Sequence, residues 1–230
     1  MFPEMFPLLL AVTSFVASHF LLSHRFRAAM VNSMGVVGFQ TLYSIVAMVL
    51  IVLVGVAYHF APHDVPLWSS KNLALQFAFD LVGYFAVVMF VASLPGNPAL
   101  VGSSFNGLST RLPTGVFLVT RHPMMFAITI WLSMQLLILP TVRNLIVCGG
   151  LIVLALIGSV LQDRKLTERT GREWRLWAER TPFWPNLLHI GAMGQAWLFG
   201  LLPWVFVTWL ESRVVGVPLG LWYLFPDLAY

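Results

Sequence analysis

A small set of side chains in this chain can do chemistry in apolar surroundings: His19, the run Arg121-His122-Pro123, Asp163, Asp80 and Gln135. His19 ends a long, mostly apolar run, where an imidazole either hydrogen-bonds a neighbouring helix or holds a ligand. Pro123 suits the first turn of a helix, so Arg121 and His122 flank an N-terminus whose unpaired amide donors and dipole attract anions. Arg-His in that position has the makings of a carboxylate or phosphate receptor. Asp80 is the one charge inside the long apolar runs, and a carboxylate at membrane depth needs a partner. Gln135 reaches a similar depth, so an Asp80–Gln135 hydrogen bond joining two helices is expected. His24, beside Arg25 and Arg27, reads as a headgroup or topology residue, whereas His59, His63 and His189 take no role.

These residues are positioned by elements built for lipid. Of the 230 residues 59% are hydrophobic and only 10% charged, and the mean hydropathy is +0.84, far from a water-soluble domain. Uncharged apolar runs near residues 6–22, 38–60, 73–94, 123–139, 145–161 and 195–210 are each about long enough to cross a hydrocarbon core of roughly 30 Å. The expected fold is therefore all-α: a polytopic transmembrane bundle of about six spans, forming one integral membrane domain. A charged segment, 163–180, carries Leu166, Trp174 and Trp177 as apolar points and reads as an amphipathic cytoplasmic helix between the last two spans. Residues 214–230 are broken by Pro218, Gly220 and Pro226 and read as an interfacial or re-entrant tail. The polar loop 103–114 is either a lid or a connector.

Loop charge sets orientation, since Lys and Arg are retained on the cytoplasmic side. Alternate loops carry Arg25 and Arg27, then Arg111 and Arg121, then Arg164, Lys165, Arg169, Arg172, Arg175 and Arg180, ten of the 13 basic residues. Six spans with both termini periplasmic satisfy that split, and they bring His19, Arg121, His122 and Asp163 to one membrane face. The net charge of +4 is explained by these lipid-flanking loops rather than by nucleic acid. A single cysteine, Cys148, excludes a disulfide framework and a cysteine-based metal cluster. The first span lacks a basic leader and a cleavage signal, and is expected to stay as a structural helix.

Several stretches together resemble the NnrU family of bacterial inner-membrane proteins and its plant relative, 15-cis-zeta-carotene isomerase. They are "SHFLLSHRFR", "GFQTLYSIV", "YHFAPHDVPLW", "LPGN", "LVTRHPMMFAITIW", "DRKLTERTG" and "RTPFWP". The isomerase likeness implies haem b held by two histidines, with His19 at the first position and Gln135 standing where the second is expected. Gln is a poor axial ligand, whereas His and Met are competent. A looser likeness extends to membrane methyltransferases of the isoprenylcysteine carboxyl type. It implies S-adenosylmethionine, with Asp163 helping to hold the cofactor and Arg121 and His122 orienting an acceptor carboxylate. The NnrU name itself implies an accessory part in denitrification or nitric oxide metabolism.

Three functions follow. One is an enzyme on a lipid-soluble substrate, with His19, Arg121 and His122 as catalytic candidates, His19, His122 and Asp163 as cofactor-binding candidates, and His19 as the metal ligand. The others are a methyltransferase-like protein and a non-catalytic accessory protein. In a Cys148→Ala background, single cysteines introduced in the 111–121 connector and in 163–180 should label from the same side of the membrane with an impermeant maleimide. Labelling from opposite compartments would dissolve the grouping.

Overall fold

A computed structural model describes residues 2–62, 64–100, 103, 105–216 and 218–229. His63, Ser104 of the polar loop, and Val217 and Tyr230 of the tail lie outside the described residues. The described residues form helices and turns without strands. Five helices, of 20 to 34 residues, are long and apolar enough to cross a membrane. The chain divides into two compact units, residues 1–68 with 139–154, and residues 69–138 with 155–230.

The first unit contains α1 (Phe2–Phe20), α2 (Arg27–Phe60) and the start of α5 (Val142–Thr170). Met5, Leu8, Val12 and Phe15 recur at three- and four-residue intervals on α1, so they line one face and bury together with Val54 of α2. A π turn, Leu21–Arg25, directly follows His19's helix. The α2 helix starts well before the apolar run at residue 38 and bends at Gly35, where φ is +76°, a conformation that costs glycine little. Most of α2 beyond the bend presents large apolar side chains outward, including Ile45, Met48 and Val52, as lipid contact requires. The end of α2 and the loop that follows it are tied to the start of α5: Tyr58 donates to Asn144 at 2.6 Å, and Asp64 accepts from the Val142 N–H.

The second unit contains α3 (Leu73–Ala92), α4 (Pro123–Ile138), the rest of α5, α6 (Arg172–Arg180), and the pair α7 (Ala196–Phe199) and α8 (Leu201–Val215). Asn72 caps α3 by accepting from the Ala74 N–H at 2.9 Å. The expected fourth span, α4, has 16 residues, fewer than the five long helices. No breaker separates residues 161 and 163, so the fifth span runs on as α5 through Asp163 to Thr170, and the amphipathic segment breaks only at Gly171. Trp174 and Trp177 of α6 are fully buried against Phe117, Leu166 and Met89, which makes α6 a clamp on the core of this unit.

The intramembrane carboxylate Asp80 has a partner that differs from expectation. Asp80 does not bond Gln135: it accepts from the Leu221 N–H at 2.8 Å, and Gln76 accepts from the Gly220 N–H at 3.0 Å. The tail therefore folds back on α3 as a short 3₁₀ turn, Gly220–Tyr223, with two of its amides satisfied by side chains rather than water. Ser212 and Thr208 of α8 complete the anchoring, accepting from the Leu219 N–H and the Trp222 indole. The last long helix also passes residue 210 and ends at Val215, so the Glu211 carboxyl lies within it. Asp80→Ala should lower unfolding stability in detergent by about 1–2 kcal/mol, and Asp80→Asn by less, because Asn keeps an acceptor. Equal loss in both variants would contradict the hydrogen-bonding role.

Candidate functional site

The site is built at the start of α4. Thr120 accepts from the His122 N–H at 3.2 Å and donates to the Phe183 carbonyl at 2.6 Å, fixing the turn that leads into Pro123. The Arg121 N–H donates to the Pro182 carbonyl at 2.9 Å. Segment "RTPFWP" thus wraps the Arg-His pair: Arg121 also donates to the Thr181 carbonyl at 3.0 Å and lies 5.0 Å over the Phe183 ring.

At the centre stands the carboxylate of Asp163. Arg121 reaches Oδ2 through Nε at 2.9 Å and Nη2 at 2.7 Å. Oδ1 accepts from His122 Nε2 at 2.8 Å and from the Trp174 indole at 3.2 Å. The His122 side chain is 0% exposed and that of Arg121 15%, so this is an ion pair largely withdrawn from water. The anion expected at the N-terminal flank of α4 is thus supplied by the chain itself. Desolvation of both charges is offset by short contacts and by the Trp174 and His122 donors.

Because a carboxylate only accepts, the Nε2 that faces Asp163 carries a proton. In the neutral ring that leaves Nδ1 as a bare lone pair, and His122 Nδ1 is buried without a hydrogen-bond partner. His122 lines a small, mainly apolar cleft with Asn97, Leu100, Met124, Met125 and Gln162. Its polar walls are spoken for on one side each: Asn97 Oδ1 accepts from the Ala99 N–H at 2.9 Å, and Gln162 donates to the Ala99 carbonyl at 2.8 Å. The arrangement offers a proton acceptor, or a metal-ligating nitrogen, held in place by its own carboxylate.

The polar loop of residues 105–114 is pinned over this end of the unit. Glu173 of α6 accepts from the Ser109 N–H at 2.7 Å and its hydroxyl at 2.8 Å. Arg111 donates to the Gly96 carbonyl at 2.8 Å and lies 5.4 Å over the Trp177 ring. Gly96 is required there: its φ is +61° and a Cβ would meet the Arg111 guanidinium. Sequence gave no pairing for Glu173 and Ser109, since they stand 64 residues apart.

The other candidates lie elsewhere. His19, in the first unit, donates from Nδ1 to the Phe15 carbonyl at 2.8 Å and packs against the Phe15 and Tyr43 rings. Gln135 is buried in α4, about 20 Å along the helix from His122, against Glu211 and Trp131. Glu211 was hidden because a charge ends an uncharged run; extending the run to Gly216 would have included it.

Helices long and apolar enough to span a bilayer, with a largely buried Arg-His-Asp cluster at the start of the shorter apolar helix α4, define a polytopic helical membrane protein. A family profile described as NnrU protein matches residues 7–219. The chain belongs to the NnrU family. No curated protein and no solved structure matches it.

Hydrogen bonds from the Ser109 N–H and hydroxyl hold the Glu173 carboxyl below its ordinary value. A depressed folded value stabilises the latch above the ordinary Glu range and releases it as pH falls through the folded value. The protection factor of the Ser109 amide, its exchange rate referred to the intrinsic rate at each pH, should therefore fall on acidification below that range, and Glu173→Gln should flatten the dependence. An unchanged acid response in Glu173→Gln would assign the opening to another group.

Proposed function

We infer that this NnrU-family protein is an enzyme of the bacterial inner membrane that acts on a lipid-soluble substrate, with His122 at the reacting end of the cleft. One observation carries this: a fully buried imidazole whose Nε2 is fixed by Asp163 and whose Nδ1 has no partner. Leaving a buried polar atom unpaired is costly, and such atoms concentrate where a ligand or reacting group completes them. Apolar walls from Leu100, Met124 and Met125 favour an apolar substrate, and Nδ1 is suited to accept a proton from it. Arg121 and Asp163 act as positioning residues, since both are occupied with each other and with His122. Both termini on the periplasmic side, with this cluster cytoplasmic, agree with the distribution of basic loops.

Haem b comes to this chain from the isomerase likeness. His19 fits an axial ligand, because the Nδ1 proton on the Phe15 carbonyl leaves Nε2 free for iron. Gln135 does not fit the second position, being a carboxamide buried against Glu211 and Trp131. A bis-histidine haem at these two positions is therefore not supported. When bound through His19, haem would supply electron transfer or Lewis acidity for double-bond chemistry. Methyl transfer is less well supported, since both oxygens of Asp163, the acid expected to hold the cationic S-adenosylmethionine, already accept from Arg121, His122 and Trp174. A non-catalytic denitrification role needs no such histidine.

In complementation of a deletion strain, His122→Ala should lose activity on the order of 10²-fold or more, and Asp163→Asn should fall between it and wild type. Full complementation by folded His122→Ala would leave the accessory role as the better account. Ultraviolet–visible spectra of protein purified from haem-sufficient cells should separate the cofactor arm. A Soret band lost in His19→Ala supports haem on His19, and a colourless folded protein removes it without touching the His122 assignment.

A further inference from the structure

Residues 182–190 of the second unit carry an exposed apolar ridge on a backbone that is held at several points. The segment lies along the residues that lead into α4: the Asn186 N–H donates to the Val119 carbonyl at 2.8 Å, and the Pro182 and Phe183 carbonyls accept from the Arg121 N–H and the Thr120 hydroxyl at 2.9 and 2.6 Å. The Asn186 side chain accepts from the Leu188 N–H at 3.1 Å, and the Ile190 carbonyl accepts from the Trp197 indole at 3.2 Å. Both ends are pinned, yet large apolar side chains between them face away from the protein: Trp184 is 67% exposed, Leu187 61% and Leu188 92%. Three of them so close in sequence make a patch rather than scattered surface residues, and a patch of that kind marks a contact with an apolar medium.

The ridge stands where two apolar helices begin. The Trp184 and Phe126 ring centroids are 5.5 Å apart, and Phe126 lies in the first turn of α4. Soon after Ile190 the chain enters Ala196–Val215, a stretch long and apolar enough to cross a membrane, and Leu198, Phe199 and Leu202 at its start are exposed as well. The ridge therefore continues a surface that faces lipid. The entrance of a span lies at the headgroup–acyl boundary, where Trp is favoured and an indole N–H meets polar acceptors. A stable protein interface takes roughly 800 Å² per partner, more than three side chains supply. An in-plane membrane segment needs only an apolar face sunk about 5–10 Å into the boundary.

We propose that Trp184, Leu187 and Leu188 form an in-plane membrane anchor, seated in the bilayer interface beside the start of α4, and that this seating steadies the Arg121-His122 turn. The coupling runs through the backbone: the strap that presents the ridge is the one whose carbonyls take the Thr120 hydroxyl and the Arg121 N–H. Sinking its apolar side chains restrains the strap, so the turn bonded to it opens less often. This inference stands on the geometry of the strap and does not require His122 to accept a proton.

The test uses the full chain in phosphatidylcholine nanodiscs. In a Cys148→Ala background, Leu188→Cys is labelled with the environment-sensitive fluorophore NBD, with NBD-cysteine in buffer as the aqueous reference. The label should emit to the blue of the reference, resist iodide, and be quenched by a phosphatidylcholine that carries a nitroxide near the headgroup end of its acyl chain. Iodide quenching equal to that of the reference overturns the anchor. So does a blue-shifted label untouched by the lipid nitroxide, the result a covering protein or a second copy would give. The Leu187→Ser, Leu188→Ser double variant leaves the Trp184–Phe126 contact in place. With its fold checked by thermal unfolding, amide exchange at Arg121 and Asn186 should rise about tenfold in nanodiscs. Unchanged exchange at both amides in the folded variant overturns the coupling to the turn.

Discussion

The carboxylate of Asp163 is the interaction on which the second unit's polar end depends. It lies on α5, yet its partners come from the start of α4, Arg121 and His122, and from α6, Trp174. Three stretches of chain meet at one acceptor, largely withdrawn from water, so each contact is electrostatically stronger than on a surface and an unpaired member would be costly. The neighbouring features follow from it. Arg121 is held by the Thr181 carbonyl and the Phe183 ring, which explains why the "RTPFWP" segment returns to the beginning of α4. Trp174 can be fully buried because its indole N–H has Asp163 to donate to.

The same carboxylate decides what the site can do. An Arg-His pair at a helix start would otherwise be a receptor for an external anion, but here the anion is internal. The reactive capacity left over is one buried ring nitrogen, Nδ1 of His122, a residue that lines a cleft with apolar walls. That is why an apolar substrate that yields a proton fits our reading better than a charged cofactor does. The latch of Glu173 on Ser109 and of Arg111 on Gly96 keeps the 105–114 loop ordered beside the same helices.

Much of this was legible in the sequence, for physical reasons that differ by feature. Hydropathy revealed the spans because lipid imposes a length and excludes charge over it. The Arg121-His122-Pro123 run and Asp163 announced themselves as polar residues at helix ends. Their mutual contact was not legible, since nothing local relates α4 to the charged end of α5. Rules that end a span at the first charge failed at two places. The α5 helix continues through Asp163 because no Gly or Pro lies between Gly158 and Gly171, and α8 continues through Glu211 to Val215, capped by Gly216. Asp80 found its partner in the backbone of the tail, not in Gln135, because a 3₁₀ turn in apolar surroundings needs acceptors for its own amides. Pairings of side chain with distant backbone leave no periodic trace in a sequence.

The central claim is that Asp163 holds His122 with its proton on Nε2 and its Nδ1 lone pair unpaired. Nitrogen-15 spectroscopy of ring-labelled histidine in the purified protein tests it most directly, with the His122 signals identified by their loss in His122→Ala. The account predicts a protonated Nε2 and an unprotonated Nδ1 at neutral pH, with that preference weakened in Asp163→Asn. A His122 ring protonated on Nδ1 alone, or one whose tautomer ignores Asp163, would contradict it.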